Sequence, residues 1–552
     1  MTTGQEARPN AGPAAAQELL AGLLARPWGQ VSPSIYETGR LVSLASWLKG
    51  HGPRLRYLLD ARRPDGFWGA PEGYMVVPTL SAVEAMLKVL RERAGDRSDA
   101  SVRTEELAGT LNRVLPALAG RLSGMTADAL PDMPANDLIA SALIDSINDH
   151  LAALRELPSS GLDPAVLDGR LGRPKDLDGT RLATIRAALG AGIVLPEKVL
   201  HALEVAGDLA RGAPAVRPGS LGAVGASPAA TAAWLNERDA SDPHHPARVF
   251  LETVVGDHAG LAPCGIPVTV FERAWVLGIL ARTGVAANVP APLVQGLDGA
   301  LGPVGTPAAE GLPADADTTS ATLYALGLLG VPRAPDMLWS YETDTHFSTW
   351  PGENGFSVSV NAHVLEAFGQ YLQAVRRGEA PPTAAARRYA ATVDKLVDLL
   401  CDRQEADGSW TDRWHASPYY ATMCCVVALD RFGGEKGAGA VRRARAWTLE
   451  TQRSGGSWGR WEGTVEETAY AIQILLSDSR DSAMWDAAGR VKKSVTFGCK
   501  NLPAPDRPDD GAAEWPALWH DKDLYLPIAI VRASVLAAHR LADQRGIRPD
   551  LC

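Results

Sequence analysis

The sequence predicts an all-α protein built from two helical domains, and three observations support this fold class. With 552 residues, the chain exceeds what one ordinary hydrophobic core accommodates. Ala, Leu, Val and Arg recur throughout while alternating β-branched residues are scarce, which favours helix over strand. Short polar turns separate the helical segments and predict α-helical barrels or an α-toroid, not a simple bundle. Apolar residues recur at helical spacing in segments such as 35–48, 78–91, 106–122 and 137–157.

The breaks between the helices contain a weak repeat. Segments 64–69, 407–410 and 455–459 each place a Trp after a tight glycine turn. The glycine permits the turn, and the indole can cover the end of the preceding helix. We therefore expect each copy to fasten one helical hairpin to the next, which is a structural role and not a chemical one.

Composition limits the classes of function. The formal charge is −10 and no basic cluster is interleaved with aromatics, so we expect no nucleic acid partner. The six cysteines form no Cys-x-x-Cys pair, which disfavours a zinc site or disulfides and indicates reduced thiols in a cytoplasmic protein. No uncharged apolar run reaches the roughly 18 residues that span a bilayer, so we expect no integral membrane association. Residues 1–14 should form a flexible tail, and the sequence leaves the oligomeric state open.

The segment Asp315-Ala316-Asp317-Thr318-Thr319 follows a Pro-rich loop and precedes an apolar-periodic stretch. The hydroxyl residues 318–320 are candidate N-caps, which would place both aspartates at or just before a helix N-terminus. Such a pair is commonly a capping device. It can also be an acid, since a dry pocket keeps a carboxyl protonated and a helix N-terminus stabilises the carboxylate left after proton transfer. The residues alone leave both interpretations open.

Taken with other segments, this motif resembles that of the class II, protonation-initiated terpene cyclases, especially the bacterial diterpene cyclases. Their acid motif often has the form Asp-x-Asp-Thr-Thr, which residues 315–319 carry. The resemblance extends over the N-terminal helix and most of the chain after about residue 300. The further matching segments are 32–38, 350–363, 414–422 and 518–525.

The resemblance implies two α/α-barrel domains in the βγ terpene cyclase architecture, with the active site between them. Residues 15–48 would be the first helix of the β domain, and residues 49–299 an inserted γ domain. Residues 300–552 would complete the β domain and carry the acid.

The same resemblance implies roles for individual residues. Asp317 would be the proton donor and Asp315 its assistant, while Thr318 stands where many relatives have a further Asp. The family also places an Asn beside the catalytic Asp, and Asn361 is the nearest match. His363 competes for this position. Residues two apart on a helix point about 200° apart, so both cannot easily face one carboxyl. We expect Asn361 to be the partner.

A prenyl diphosphate substrate would need Mg²⁺ or basic residues for its head group and an apolar, aromatic cavity for its hydrocarbon. The loosely matching acidic stretch 126–137 predicts Asp128 and Asp132 as Mg²⁺ ligands. Lys522, in a matched segment, is the predicted diphosphate ligand. Aromatic faces stabilise passing cations, and the candidates for the cavity wall are Trp350, Trp414, Tyr419 and Tyr420.

Class I terpene synthases instead ionise the diphosphate, using a helical Asp-Asp-x-x-Asp motif. The nearest match here, residues 509–514, lies in a Gly/Pro-rich loop, so the diphosphate should survive in the product. The resemblance therefore implies cyclisation of geranylgeranyl diphosphate to a bicyclic copalyl- or halimadienyl-type diphosphate. The alternatives are conversion of farnesyl diphosphate to a drimenyl-type product, a squalene-type cyclase, and a non-catalytic helical toroid that binds a protein.

Overall fold

A computed structural model describes residues 11–93, 102–157, 160–285, 288–353, 355–382, 384–477, 489–507, 509 and 511–547. These residues are mainly α-helical, which confirms the predicted fold class. The 3₁₀ helices span Glu72–Met75, Ala127–Ala129, Leu203–Ala210, Pro335–Tyr341 and Ala512–Glu514, and one antiparallel hairpin joins β1 (Trp519–His520) to β2 (Leu524–Tyr525). The α-helices are α1 (Ala11–Ala25), α2 (Ile35–Leu44), α3 (His51–Asp60), α4 (Val76–Arg93), α5 (Thr104–Ser123), α6 (Asn136–Arg155), α7 (Pro164–Leu167), α8 (Thr180–Gly190), α9 (Glu197–Leu200), α10 (Pro228–Trp234), α11 (Glu237–Ser241), α12 (Pro246–Asp257), α13 (Thr269–Thr283), α14 (Ala291–Ala300), α15 (Ala316–Leu328), α16 (Val358–Arg376), α17 (Ala386–Asp402), α18 (Pro418–Phe432), α19 (Gly434–Glu450), α20 (Val465–Leu476), α21 (Arg490–Cys499) and α22 (Ile528–Gln544).

Inner helices of the C-terminal half form a closed ring, here called the β domain. Contacts join α13 to α15, α15 to α16, α16 to α18, α18 to α20, α20 to α22, and α22 back to α13. An outer element separates each successive pair of inner helices, namely α14, the 3₁₀ helix Pro335–Tyr341, α17, α19 or α21. The inner helices therefore run in one direction, and their N-termini lie at one end of the barrel.

A second ring, the γ domain, is formed by earlier elements. Contacts join α2 to α4, α4 to α6, α6 to the 3₁₀ helix Leu203–Ala210, that helix to α10, and α10 back to α2. Helices α3, α5, α8 and α12 pack outside this ring. Two α-helical barrels thus account for the described chain.

The hydrophobic cores divide the chain at different places from those predicted. The largest core contains α1 and elements from Val268 onwards, so α13 and α14 pack in the β domain although residues 49–299 were expected in the γ domain. Helix α2 contributes to the γ core, whereas 15–48 was expected to be a β-domain helix. The Pro/Gly-rich loop near residue 300 resembles a domain boundary in sequence but connects two β-domain helices. Residues 11–14 lie in α1 and not in a tail, and residues 1–10 lie outside the described residues.

The Gly-Trp turns have the predicted fastening role. In each one, the buried indole N–H donates to a carbonyl near the end of the preceding helix, and the Trp backbone N–H donates to a threonine hydroxyl of the following helix. Each turn therefore joins consecutive helices through one aromatic residue. Trp68, Trp410 and Trp458 pair in this way with Leu58 and Thr79, Leu400 and Thr422, and Thr448 and Thr468, respectively.

Among the described residues, one helical stretch, Glu72–Arg93, is long and apolar enough to cross a membrane by composition alone. The fold buries 89% of its apolar window. Its apolar residues pack in the γ core, as expected for the central helix of a barrel.

Candidate active site

Asp315 caps helix α15 at the N-terminal end of the β barrel. Its Oδ1 accepts a hydrogen bond from Thr318 N–H at 2.6 Å, and its Oδ2 accepts one from Ala308 N–H at 3.2 Å. The predicted caps, residues 318–320, instead lie within α15, because Asp315 is the N-cap and its side chain accepts from the Thr318 N–H. Burial raises the pKa of Asp315 to about 7, although the Thr318 amide opposes the shift, and the neighbouring Asp317 adds to it. Asp315 thus caps the helix and also holds a proton near neutral pH.

Asp317 is the second residue of α15 and lines a cavity between the two domains. Its Oδ1 lies 2.7 Å from His363 Nδ1 on α16. Burial alone would lower the pKa of His363, but the charge of Asp317, its hydrogen bond and the neighbouring Cys424 together outweigh burial, and the pKa is raised well above its usual value. His363 Nδ1 is thus placed to donate to Asp317, and as a cation it stabilises the carboxylate that Asp317 becomes once its proton has been transferred. The second carboxyl oxygen, Oδ2, is left for the proton to be transferred.

Asn361 does not contact Asp317, which corrects the predicted pairing. Its Oδ1 accepts from Phe347 N–H at 2.9 Å, and its Nδ2 donates to Phe347 O at 3.0 Å and Ser357 O at 2.8 Å. These bonds use both amide hydrogens, so Asn361 braces the chain entering α16 instead of tuning the acid. Asn361 and His363 point in different directions from α16, and His363 is the one that faces Asp317.

The cavity beside Asp317 has a volume of about 160 Å³ and lies between the β and γ domains. Trp350 and Trp414 form part of its wall, as predicted, and meet edge to face with ring centroids 5.6 Å apart. Neither buried indole N–H has a hydrogen-bond partner among the described residues. The other aromatic residues of the wall are Phe271, Trp519 and Tyr525. The Asp317 carboxyl therefore opens onto a mainly apolar hollow whose wall includes several aromatic rings.

The two predicted tyrosines lie deeper in the β domain and do not line this cavity. Tyr420 lines a separate, small hollow that His363 also lines, and it accepts a hydrogen bond from Trp275 Nε1 at 3.1 Å. Tyr419 packs against Trp447 in the hydrophobic core, with ring centroids 4.6 Å apart. Consecutive helical residues diverge by about 100°, so the pair cannot share one wall. Tyr420 therefore lines the second hollow and not the cavity beside Asp317, and Tyr419 is a core residue.

Lys522 is fully buried and does not reach the cavity, which corrects its predicted role as a diphosphate ligand. Its ammonium group pairs with Glu37 and, at 2.9 Å, with Glu204. It also donates to Ser227 Oγ at 2.6 Å and to the His201 carbonyl at 3.0 Å. A buried amine with these partners fastens the turn of the β1–β2 hairpin to three elements of the γ domain.

The rim of the cavity carries charged residues from both domains. Lys198, which lines the cavity, lies 3.1 Å from Glu353, and Arg413 contacts Asp132 at 3.3 Å. Glu353 Oε2 is buried and accepts no hydrogen bond from the described residues, but it lies 3.8 Å from Arg413 Nη1 in an ion pair. These four side chains, here called the rim, form a chain of ion pairs that joins the cavity wall at Lys198.

A complete magnesium cage is absent from the part of the chain that the structure describes, where no group of three or more His, Cys, Asp or Glu side chains is placed to hold a metal. Asp128 is exposed on a 3₁₀ turn, while Asp132 lies at the rim with Arg413. Glu353 and Asp132 both pair with Arg413, and they are the carboxylates that would supply oxygens to a Mg²⁺ held mainly by substrate phosphates, which is the usual mode for this ion. Asp128 has no such neighbour.

Sequence reasoning missed a buried ion pair in the cavity wall. His201, which precedes the 3₁₀ helix Leu203–Ala210, donates to Asp521 with a distance of 2.7 Å between His201 Nε2 and Asp521 Oδ1. Asp521 lies in the matched segment 518–525, directly before Lys522. The position of Asp521 next to Lys522, in a matched segment, was the one signal that the sequence offered. Its partner His201 lies 320 residues away and could not be predicted from the sequence.

Two α-helical barrels with a carboxylic acid at the head of an aromatic cavity between them define a class II terpene cyclase, and relatives support this class. Residues 357–511 match the family described as Squalene-hopene cyclase C-terminal domain. The ent-copalyl diphosphate synthase of Streptomyces sp. (strain KO-3988) is 40% identical over 96% of this chain and 97% of its own length. The labda-7,13-dienyl diphosphate synthase of Streptomyces clavuligerus is 39% identical over 96% of this chain and 93% of its own length.

A solved structure agrees with these relatives. The ent-copalyl diphosphate synthase from Streptomyces platensis superposes with a TM-score of 0.87 at 42% identity, covering 96% of this chain and 99% of that chain. This chain therefore belongs to the class II diterpene cyclases, with the bacterial copalyl diphosphate synthases among its relatives. It is an enzyme with the βγ architecture, and the non-catalytic toroid is not favoured.

Proposed function

We propose that the enzyme cyclises geranylgeranyl diphosphate to a bicyclic, copalyl-type diphosphate and retains the diphosphate group. The observation that carries this proposal is the Asp317 carboxyl, paired with His363 and opening onto an aromatic cavity. The names of the similar enzymes, copalyl and labda-7,13-dienyl diphosphate synthases, support a bicyclic diterpenyl diphosphate as product.

The reaction starts when Asp317 Oδ2–H protonates the terminal alkene of the substrate. The alkene electron pair forms the new C–H bond, and a tertiary carbocation remains next to an Asp317 carboxylate. A carboxylic acid facing water is too weak for this step, so the carboxylate must be stabilised as it forms. Cationic His363 donates to it at 2.7 Å, and the N-terminus of α15 adds a favourable dipole. Both groups strengthen the acid.

The cavity then guides ring closure by shape and by aromatic faces. Trp350, Trp414 and Trp519 line the wall, and each ring face can stabilise a nearby cation by roughly 0.5–2 kcal/mol. The same apolar wall displaces water, which would otherwise capture the cation. The neighbouring double bonds of the folded substrate can therefore attack the cation in turn and close two rings.

The diphosphate head group is proposed to bind at the charged rim. Lys198 and Arg413 supply positive charge, and Glu353 and Asp132 would supply carboxylate oxygens to Mg²⁺. When bound, Mg²⁺ would neutralise part of the diphosphate charge and orient the head group. This places the hydrocarbon tail towards Asp317, at the inner end of the cavity. A cytoplasmic location is also proposed, since the five described cysteines are free thiols.

The test is incubation of the purified protein with geranylgeranyl or farnesyl diphosphate, followed by phosphatase treatment and mass spectrometry of the alcohols. The proposal expects a bicyclic C20 alcohol from geranylgeranyl diphosphate. A bicyclic C15 alcohol formed in preference would support the drimenyl alternative instead. If neither substrate yields a cyclic alcohol, the proposed function is wrong.

A further inference from the structure

A second carboxylate lines the same cavity in surroundings unlike those of the acid pair. Asp521 lies at the turn of the β1–β2 hairpin and faces the cavity together with His201. Its Oδ1 accepts from His201 Nε2–H at 2.7 Å and from Lys522 N–H at 2.7 Å. Its Oδ2 accepts no hydrogen bond from the described residues. The site therefore has one carboxylate oxygen held in place and one with free lone pairs.

Gly265 keeps the space beside this oxygen open. It also lines the cavity, and a Cβ atom built on it would lie 3.1 Å from Asp521 Oδ2. That spacing is tighter than nine in ten ordinary Cβ contacts, so an alanine there would press on the oxygen. Glycine at this position therefore leaves room for a substrate hydrogen to approach the free oxygen.

The other proton acceptors of the wall are already engaged. Both ring nitrogens of His201 contact acceptors, Nδ1 lying 2.6 Å from Gly225 O and Nε2 facing Asp521, so both nitrogens act as donors. His520 Nδ1 lies 2.8 Å from the Arg413 carbonyl, and its Nε2 lies 3.1 Å from the Tyr74 hydroxyl. Both oxygens of Asp315 accept backbone N–H groups. Asp521 Oδ2 is thus the free basic oxygen of the wall, apart from Asp317 itself.

The carboxyls of Asp521 and Asp315 also differ in their electrostatic surroundings. Burial alone would raise the pKa of Asp521, but His201 and then Lys522 outweigh burial and lower it. The pKa of Asp315, by contrast, is raised to about 7 by burial and by Asp317. Groups whose surroundings push their proton affinities apart are the expected mark of an acid and a base in one site. The surroundings of Asp521 therefore favour its carboxylate form, while those of Asp315 favour its protonated form.

We propose that Asp521 is the catalytic base that ends the cyclisation, which rests on the function proposed above. The C–H bond next to the final cationic carbon breaks, its electron pair forms the product double bond, and the proton binds to Asp521 Oδ2. One proton has entered from Asp317 and one has left to Asp521, so the reaction is a net isomerisation. Later exchange with water resets both carboxyls. His201 and Lys522 are positioning residues, because they hold Asp521 through hydrogen bonds.

The test is the product pattern of Asp521→Asn. The amide oxygen can still accept from His201 and from Lys522 N–H, but the group facing the substrate is no longer a base. We expect substrate consumption within about 10-fold of wild type, since the acid is untouched, and a several-fold larger share of by-products. The by-products are hydroxylated bicyclic diphosphates from water capture or alkene isomers, separated by mass spectrometry after phosphatase treatment.

The matched control is Asp523→Asn, on the same hairpin. Asp523 is buried and accepts from Ser34 and from Tyr36 N–H, but it does not line the cavity. Its product pattern should equal that of wild type, even if the yield falls. Gly265→Ala is a second variant, which should enlarge the by-product share by crowding Oδ2 without removing a charge. It covers the case in which Asp521→Asn does not fold.

Two results would overturn the inference. One is a wild-type product pattern from folded Asp521→Asn, or from Gly265→Ala if the first variant does not fold. The other is a folded Asp521→Asn protein, by circular dichroism and melting, that consumes no substrate, since a terminal base is not needed for initiation. Failure of the proposed function is distinguishable, because wild-type protein would then form no cyclic product at all.

Discussion

His363 Nδ1 lies 2.7 Å from Asp317 Oδ1, and this contact joins two helices of the inner β-domain ring. The histidine is buried behind the acid, with the indole of Trp275 edge-on to its ring at a centroid distance of 5.3 Å. A cation held there stabilises the carboxylate that forms when the proton leaves. In the proposed mechanism, this pair lets an ordinary carboxyl protonate an unactivated alkene.

His363→Ala should therefore lower kcat by about 10²–10³-fold, within the range typical of a lost proton-transfer partner. KM should change little, because His363 does not line the substrate cavity. Steady-state kinetics with a check of folding by circular dichroism would measure this. Unchanged kcat would show that the contact has no part in strengthening the acid.

Asn361→Ala should behave differently. It leaves the Phe347 amide and carbonyl without their buried partner, so the free energy of unfolding should fall by about 3 kcal/mol. The folded fraction should keep kcat within about 10-fold of wild type. Urea unfolding and kinetics on the same preparation separate the two effects. A loss of activity like that of His363→Ala, without loss of stability, would restore the pairing predicted from sequence.

The pH profile should reflect the acid pair. Burial raises the pKa of Asp315 to about 7, so this carboxyl is neutral below that pH and negative above it. Ionised Asp315 opposes the negative charge that develops on Asp317, and kcat should fall as pH rises through about 7. In Asp315→Asn the descending limb should no longer be centred near pH 7. A wild-type profile that stays flat up to pH 9 would contradict this.

Lys522→Met should destabilise the protein by about 3–5 kcal/mol, because it leaves Glu37 and Glu204 buried without their cation. The midpoint of urea unfolding measures the loss. Lys436→Met is a suitable control, since Lys436 forms an exposed ion pair with Asp398 and its removal should barely move the midpoint. If Lys522→Met instead keeps its stability and raises KM, the lysine binds diphosphate as the sequence predicted.

If Glu353 and Asp132 bind Mg²⁺ as proposed, substitutions there should change how the rate depends on Mg²⁺. Glu353→Gln keeps the side-chain shape but removes a carboxylate, so the Mg²⁺ concentration for half-maximal rate should rise several-fold. Asp128→Asn should leave that concentration unchanged. A metal titration at saturating substrate measures both. The opposite result, with only Asp128→Asn affected, would place the metal site on the stretch predicted from sequence.

Local features of the site were predictable from the sequence. Asp315 and Asp317 lie at the start of one helix, so a short sequence motif is enough to predict their arrangement. The Gly-Trp turns likewise join helices that are adjacent in the chain, which sequence patterns reveal. Two of the four predicted wall aromatics, Trp350 and Trp414, do line the cavity. Tyr419 and Tyr420 do not, because the direction of a helix face depends on the packing of the whole ring.

Features that depend on distant partners were not predictable. Lys522 pairs with Glu204, which is 318 residues away in the sequence, and no periodicity or local motif predicts that ion pair. His201 and Asp521 are similarly remote in sequence. The choice between Asn361 and His363 depended on the rotation of α16 about its axis. That rotation is set by packing against α15 and α18 and not by the local sequence.

The central claim is that Asp317 delivers the proton, and the most direct measurement is single-turnover cyclisation by Asp317→Asn beside wild type. The amide keeps the shape of the side chain but has no acidic proton to transfer. We predict that the variant binds geranylgeranyl diphosphate with a Kd within a few-fold of wild type and cyclises it at least about 10³-fold more slowly. Cyclisation by the variant at a rate near that of wild type would contradict the account.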